Sequence, residues 1–117
     1  MALYGKTTLS KIQNGIDKLT PFNAGNVRGM LGAIDDTGLM PAPEAEAYRD
    51  SARSGAIAYT VLSYATPIAY KLIDGRWVRP AVKYSATTTG HQSKVATAIA
   101  NPSFYADMSA YWPASWR

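Results

Sequence analysis

The residues best equipped for chemistry lie between positions 84 and 94, in the stretch YSATTTGHQSK. Three threonines, a glycine and the only histidine of the chain follow Lys83 and end at Lys94. Hydroxyls and backbone N–H groups at the start of a helix bind anions, because the helix dipole favours negative charge there. A histidine titrates near neutral pH and can act as a general base. The rest of a hydrolytic centre is not in view. No serine stands in a Gly-x-Ser-x-Gly pattern, and Asp35, Asp36, Glu44 and Glu46 fall in loop-like or helix-start settings where capping and the dipole already account for them. One histidine and no cysteine are too few for a zinc site, so neither a metal nor a cofactor is expected. The chemistry that remains is binding of anions or nucleic acid, with Arg76, Arg79, Lys83, Thr87, Thr88, His91 and Lys94 as candidate residues and Tyr64, Tyr70 and Tyr84 available to stack on bases.

The elements that would position these residues follow from periodicity and punctuation. The 117-residue chain has 47% hydrophobic residues, a size and content that support one domain with its own core. Leu9, Ile12, Ile16 and Leu19 recur at helical steps, and Thr20-Pro21 closes that helix. From Pro21 to Pro43 the sequence is rich in glycine and proline. Its last glycine before the Asp pair, Gly32, is followed by Ala33-Ile34 instead of Lys-Ser/Thr, so it is no Walker loop. The Gly29–Gly32 pair has the spacing of an RNA-clamping loop but an apolar filling. The stretch reads as a loop or short helix whose Val27, Met30, Leu31 and Ile34 dock on the core. A well-punctuated helix then starts at Pro43 and ends before Gly55, with Arg53 in its last turn.

At Ala56 the period changes to two. The run to Ser85 is rich in β-branched and aromatic residues, and Asp74-Gly75 is a strong hairpin signal. A two-residue turn there would face Ile73 with Arg76 and place Ile68, Tyr70, Leu72 and Trp77 on the core side, with Lys71 and Val78 opposite. One strand is expected from Ala56 to Tyr64, with a break near Thr66-Pro67 before the hairpin. Thr89 and Gln92 have the capping-box spacing for a helix running to Ala100, with His91, Val95 and Ile99 on one face. In the last segment, residues 101–117, Phe104, Met108 and Tyr111 or Trp112 fall at helical intervals, as a core-sealing helix or an exposed aromatic tail that could pair two copies of the chain. The expected fold is therefore α+β, a small antiparallel meander of about three strands packed against flanking short helices. It divides into a helical part at 7–54, a core module at about 56–100 and the aromatic segment.

The formal net charge of +4 is unevenly spread. Asp35, Asp36, Glu44, Glu46 and Asp50 form an acidic block with Arg49, whereas Lys71, Arg76, Arg79, Lys83 and Lys94 form a basic one with Asp74. The basic block can meet phosphates, form a solvated face, or complement the acidic block. No signal segment or membrane-length apolar run stands out, and a soluble intracellular protein is expected.

Two blocks of this sequence resemble a family of small uncharacterised proteins of bacteriophages and other mobile elements. The first is Ser63, Tyr64, Thr66, Pro67, Ile68 and Ala69; the second is Tyr84, Ser85, Thr87, Thr88, His91 and Gln92. The resemblance implies a phage-encoded accessory protein acting in the host cytoplasm without catalysis, by binding a host protein or nucleic acid. A His91-dependent hydrolase and a virion structural protein are the further alternatives.

Overall fold

The computed structural model describes residues 3–100. Helix α1 (Leu3–Lys18) leads into strands β1 (Phe22–Ala24) and β2 (Val27–Leu31), followed by helix α2 (Ala42–Arg53), strands β3 (Ile57–Ser63), β4 (Thr66–Leu72) and β5 (Trp77–Val78), and helix α3 (Ala86–Ala100). The five strands form one antiparallel sheet in chain order, β1-β2-β3-β4-β5. The expected meander is thus extended by a hairpin from the Gly-rich stretch. There Ala24 pairs with Val27 across Gly25-Asn26, and Gly25 adopts φ +72°, the Gly-first pattern of a two-residue hairpin turn. Val27 is buried as expected, but Met30 and Leu31 are exposed. Gly29 is required by packing: a Cβ there would collide with the Phe22 ring and the Tyr59 hydroxyl.

Both faces of the sheet are covered. On one, Ile12 and Ile16 of α1 and Val95 and Ala98 of α3 pack with Val27, Tyr59, Val61, Ile68 and Ala69. On the other, Ala45 and Tyr48 of α2 pack with Met40, Ile57 and Tyr70. Two bulges decide which side chain goes where. Val61 pairs with Ala69 and Leu62 with Pro67, which leaves Ile68 as an extra residue. Likewise Ile57 pairs with Leu72 and Tyr59 with Lys71, which leaves Ala58. A bulge lets consecutive residues serve one face, and so Ile68 and Ala69 both join the α1/α3 core.

The hairpin register differs from the sequence expectation by one residue. Lys71 pairs with Trp77 and Tyr70 with Val78, so the loop is Ile73-Asp74-Gly75. The Gly75 N–H donates to the Leu72 carbonyl at 2.9 Å, the Leu72 N–H donates to the Arg76 carbonyl at 2.8 Å, and only Gly75 has positive φ there, +95°. This is the three-residue loop with a left-handed glycine at its end. Its consequence is that Trp77 shares a face with Lys71, whose Nζ lies 5.8 Å from the indole centroid, while Tyr70, Leu72 and Val78 turn to α2.

The helix ends follow local chemistry. α2 closes as expected, with Gly55 at φ +73° and the Ala56 N–H returning to the Ser51 carbonyl at 2.9 Å, a left-handed C-terminal cap. α1 closes the same way without glycine, since Leu19 holds φ +53°. α3 starts three residues before the expected box. The Ser85 hydroxyl accepts the Thr88 N–H at 3.3 Å, so Ser85 is the cap, and Gln92 instead donates to the Val82 carbonyl at 3.0 Å. The aromatic segment 101–117 lies outside the described residues, and among these no helix is long and apolar enough to cross a membrane.

Candidate functional site

Three loops meet at one end of the sheet: residues 36–39, the β3–β4 turn and the start of α3. They enclose a cleft of about 550 Å³, within the roughly 300–1,000 Å³ typical of ligand sites. Tyr64 and Ala65 form the β3–β4 turn, because Ser63 pairs with Thr66. Tyr64 holds φ +56°, a left-handed conformation that costs a bulky residue about 1 kcal/mol or more. Neighbours over-determine it. The Tyr64 N–H donates to the Asn26 carbonyl at 2.7 Å, Arg28 donates to the Tyr64 carbonyl at 3.3 Å, and the Asn26 amide reaches the Tyr64 hydroxyl at 3.3 Å. The ring, half-exposed, stands 5.9 Å from the His91 ring.

Beneath the turn, the Ser63 hydroxyl contacts His91 Nδ1 at 2.6 Å and donates to the Thr88 hydroxyl at 3.2 Å. With Ser63 donating to Thr88, the His91 Nδ1–H is the donor to Ser63, which leaves Nε2 as the acceptor nitrogen. Burial, and next the charge of Lys94, hold the His91 pKa below its ordinary value, so the ring is neutral at pH 7. Ser63 is only 1% exposed. A serine–histidine contact can activate a nucleophile, but a nucleophile must meet its substrate. Here both hydroxyl contacts are internal and tie α3 to the sheet.

The 36–39 loop supplies the opposite wall. The Gly38 N–H donates to Asp36 Oδ1 at 2.8 Å, and the Leu39 N–H donates to the buried Thr66 hydroxyl at 2.9 Å. Gly38 holds φ +55° and a Cβ would overlap Thr66 and the Ala65 carbonyl oxygen, so two independent reasons demand glycine. Tyr84, on the wall between, has a buried hydroxyl with no hydrogen-bond partner among the described residues. Burial, and next the charge of Glu44, raise its pKa.

The cleft unites most of the motif residues. Ser63, Tyr64, Thr66, Tyr84, Ser85, Thr87 and Thr88 line it, and His91 bonds to its floor. The candidate cations are elsewhere, and two of them share a groove. Arg76 lies at the hairpin tip in an ion pair with Asp74, Nε to Oδ2 2.9 Å. Arg79 and Lys83 line a groove of about 610 Å³ beside Thr89 and Gln92. Lys94 borders a third hollow, between α1 and α3. Pro67 is buried inside β4, in the part that β5 does not pair, a place open to a residue without N–H. The sequence reading gave Asp36 a capping role, which its bond from the Gly38 N–H bears out, but did not bring Asp36, Gly38 and Leu39 to the cleft. Their signal was present: an acid two residues before a glycine is the pattern of an Asx turn.

The model of a family of unknown function, DUF8033, matches residues 3–104. The chain belongs to the DUF8033 family. The match spans both motif blocks and every element from α1 to α3. No curated protein and no solved structure matches the chain.

Proposed function

We propose that this DUF8033 protein acts without catalysis, as a small accessory protein of a phage or mobile element that binds a host protein in the host cytoplasm. Its phage origin rests on the resemblance of the two motif blocks. The binding mode rests on one observation: the cleft where those blocks meet is lined by hydroxyls, with Asp36 as its one charged group and no lysine or arginine. Exposed Leu39 and Tyr64 stand among its lining residues. Such a surface suits a protein partner, since apolar and neutral polar contacts with aromatic anchors carry protein interfaces. Nucleic acid would call for a continuous basic track, and the cations here stand at the hairpin tip and in two hollows that meet at Ser93, none of them in the cleft. A hydrolase would call for a reachable nucleophile, and Ser63 is buried.

The test is affinity capture from host lysate with the full chain, with and without nuclease. The expected result is a defined protein retained after nuclease, lost with Leu39→Glu or Thr87→Arg, and unaffected by Lys83→Glu with Lys94→Glu. Nuclease-sensitive capture that the double glutamate variant abolishes would overturn the reading in favour of nucleic acid.

A further inference from the structure

We propose that the protein carries a second binding site, for a phosphate monoester on an apolar body of mononucleotide size, in the groove between α3 and the connection that leads to it from β5. The groove holds about 610 Å³, within the roughly 300–1,000 Å³ of small-molecule sites, and it shares no lining residue with the cleft. Arg79 and Lys83 line it, and no aspartate or glutamate does. Arg79 stands apart from the other arginines of the described residues. Arg28 donates to the Tyr64 carbonyl, Arg49 to the Thr37 hydroxyl, and Arg53 and Arg76 form ion pairs with Asp50 and Asp74. Arg79 has no hydrogen bond or ion pair among the described residues, and neither has Lys83. A guanidinium with five donors and an ammonium with three thus face one hollow without an acceptor.

The backbone that carries these cations is held in place. The Val82 N–H returns to the Pro80 carbonyl at 2.9 Å, and Gln92 Nε2 donates to the Val82 carbonyl at 3.0 Å, so less freedom is lost when a ligand arrives. Across the groove Thr89 and Ser93, exposed one helical turn apart on α3, add hydroxyl donors, and the first turn of α3 adds the positive end of its dipole. A phosphate monoester presents three acceptor oxygens, two of which the planar guanidinium fork can meet in parallel. The floor is of the other kind. Ile68 and Val95, 3% and 1% exposed, form with Val82 and Ala96 an apolar bed for the body behind the phosphate. Gln92 Oε1 remains an acceptor beside that bed. The neighbouring carboxylates do not cancel the charge: Asp74 is paired with Arg76, and Glu44, at the start of α2, acts on Tyr84. Lys94 borders the next hollow, which meets the groove at Ser93.

The experiment is an NMR amide-shift titration of the isotope-labelled full chain with adenosine monophosphate, and with adenosine and inorganic phosphate as its two halves. The monophosphate should shift the signals of Arg79, Ala81, Lys83, Thr89 and Ser93 and leave Gly38, Leu39 and Ala65 of the cleft in place. Each half alone should bind about tenfold more weakly or worse, and Arg79→Gln should weaken the monophosphate about tenfold. Ser93→Tyr, which fills the groove from the exposed side of α3, should abolish the shifts. Shifts spread over every exposed cation, an affinity for either half equal to that for the whole, or an Arg79→Gln variant that binds like the unaltered protein would overturn the assignment. So would a thymidine oligonucleotide that binds far more tightly than the monophosphate and moves Arg76 and Lys94 as well, in favour of a nucleic-acid face. Should Ser93→Tyr fail to fold, the three probes on the unaltered protein decide. Host-protein capture should survive Arg79→Gln, which keeps this site distinct from the cleft; loss of capture together with monophosphate binding would assign the groove to the partner protein and remove the small ligand.

Discussion

The contact between Ser63 and His91 joins residues 28 positions apart, and its energetic weight can be measured. Replacing Ser63 by alanine removes a hydroxyl that is 1% exposed and meets His91 at 2.6 Å and Thr88 at 3.2 Å. An orphaned buried polar group costs about 1–3 kcal/mol. Two are affected, but the Thr88 hydroxyl can rotate toward another acceptor, so a loss of about 2 kcal/mol is expected. At about 4 °C per kcal/mol for a domain near this size, the melting midpoint should drop by about 8 °C. His91→Ala leaves the Ser63–Thr88 bond in place and should cost about 1–2 kcal/mol. If the two side chains act on each other, the double variant will be less damaged than the sum, with a coupling of about 1 kcal/mol. Urea denaturation of the four proteins at pH 7.5, where His91 is neutral, gives the cycle directly. Additivity within about 0.3 kcal/mol would mean that the contact does not hold α3 to the sheet, and the floor of the cleft would have to be redrawn.

Tyr48, Tyr64 and the titration of His91 give three further outcomes. Tyr48→Phe should cost about 1–3 kcal/mol in chemical denaturation and speed hydrogen exchange at Ile34, because the Ile34 N–H donates to the Tyr48 hydroxyl at 2.9 Å, which donates to Thr60 at 2.8 Å, which donates to the Gly32 carbonyl at 2.8 Å. Tyr64→Gly should leave thermal stability within about 0.5 kcal/mol, as relief at φ +56° offsets the lost contacts, while host-protein capture collapses. As for pH, the folded His91 pKa lies below its ordinary 6.5, so the unfolded chain takes the proton first as pH falls. The contribution of His91 to stability should be fully present above about pH 6.5 and lost as pH falls through the window down to the folded value; His91→Gln should flatten that part of a pH-resolved unfolding series.

How far the sequence carried depended on whether a signal was local. α2 was legible because Pro43, Arg53 and Gly55 are cues that act within one turn. The β3–β4–β5 meander was legible from its alternation, but its register was not: Asp74-Gly75 fits a two-residue and a three-residue loop equally, and only the pairing of Lys71 with Trp77 distinguishes them. The β1–β2 hairpin was hidden by its own glycines, since Gly29 packs against Phe22 and Tyr59 instead of marking a loop. At α3 four adjacent hydroxyl residues, Ser85 and Thr87 to Thr89, competed to be the cap. The cleft was half legible. Its hydroxyl wall was readable as a motif, but that Ser63 reaches His91, and that the 36–39 loop closes the other side, depends on long-range packing.

Helices pack on both sides of the sheet, while Arg28, Met30 and Leu31 of β2 stay exposed. The short connections at the rim can change residue by residue while the stacked interior stays as it is. A scaffold of that kind keeps the contacts that hold the chain folded apart from the loops that border the cleft.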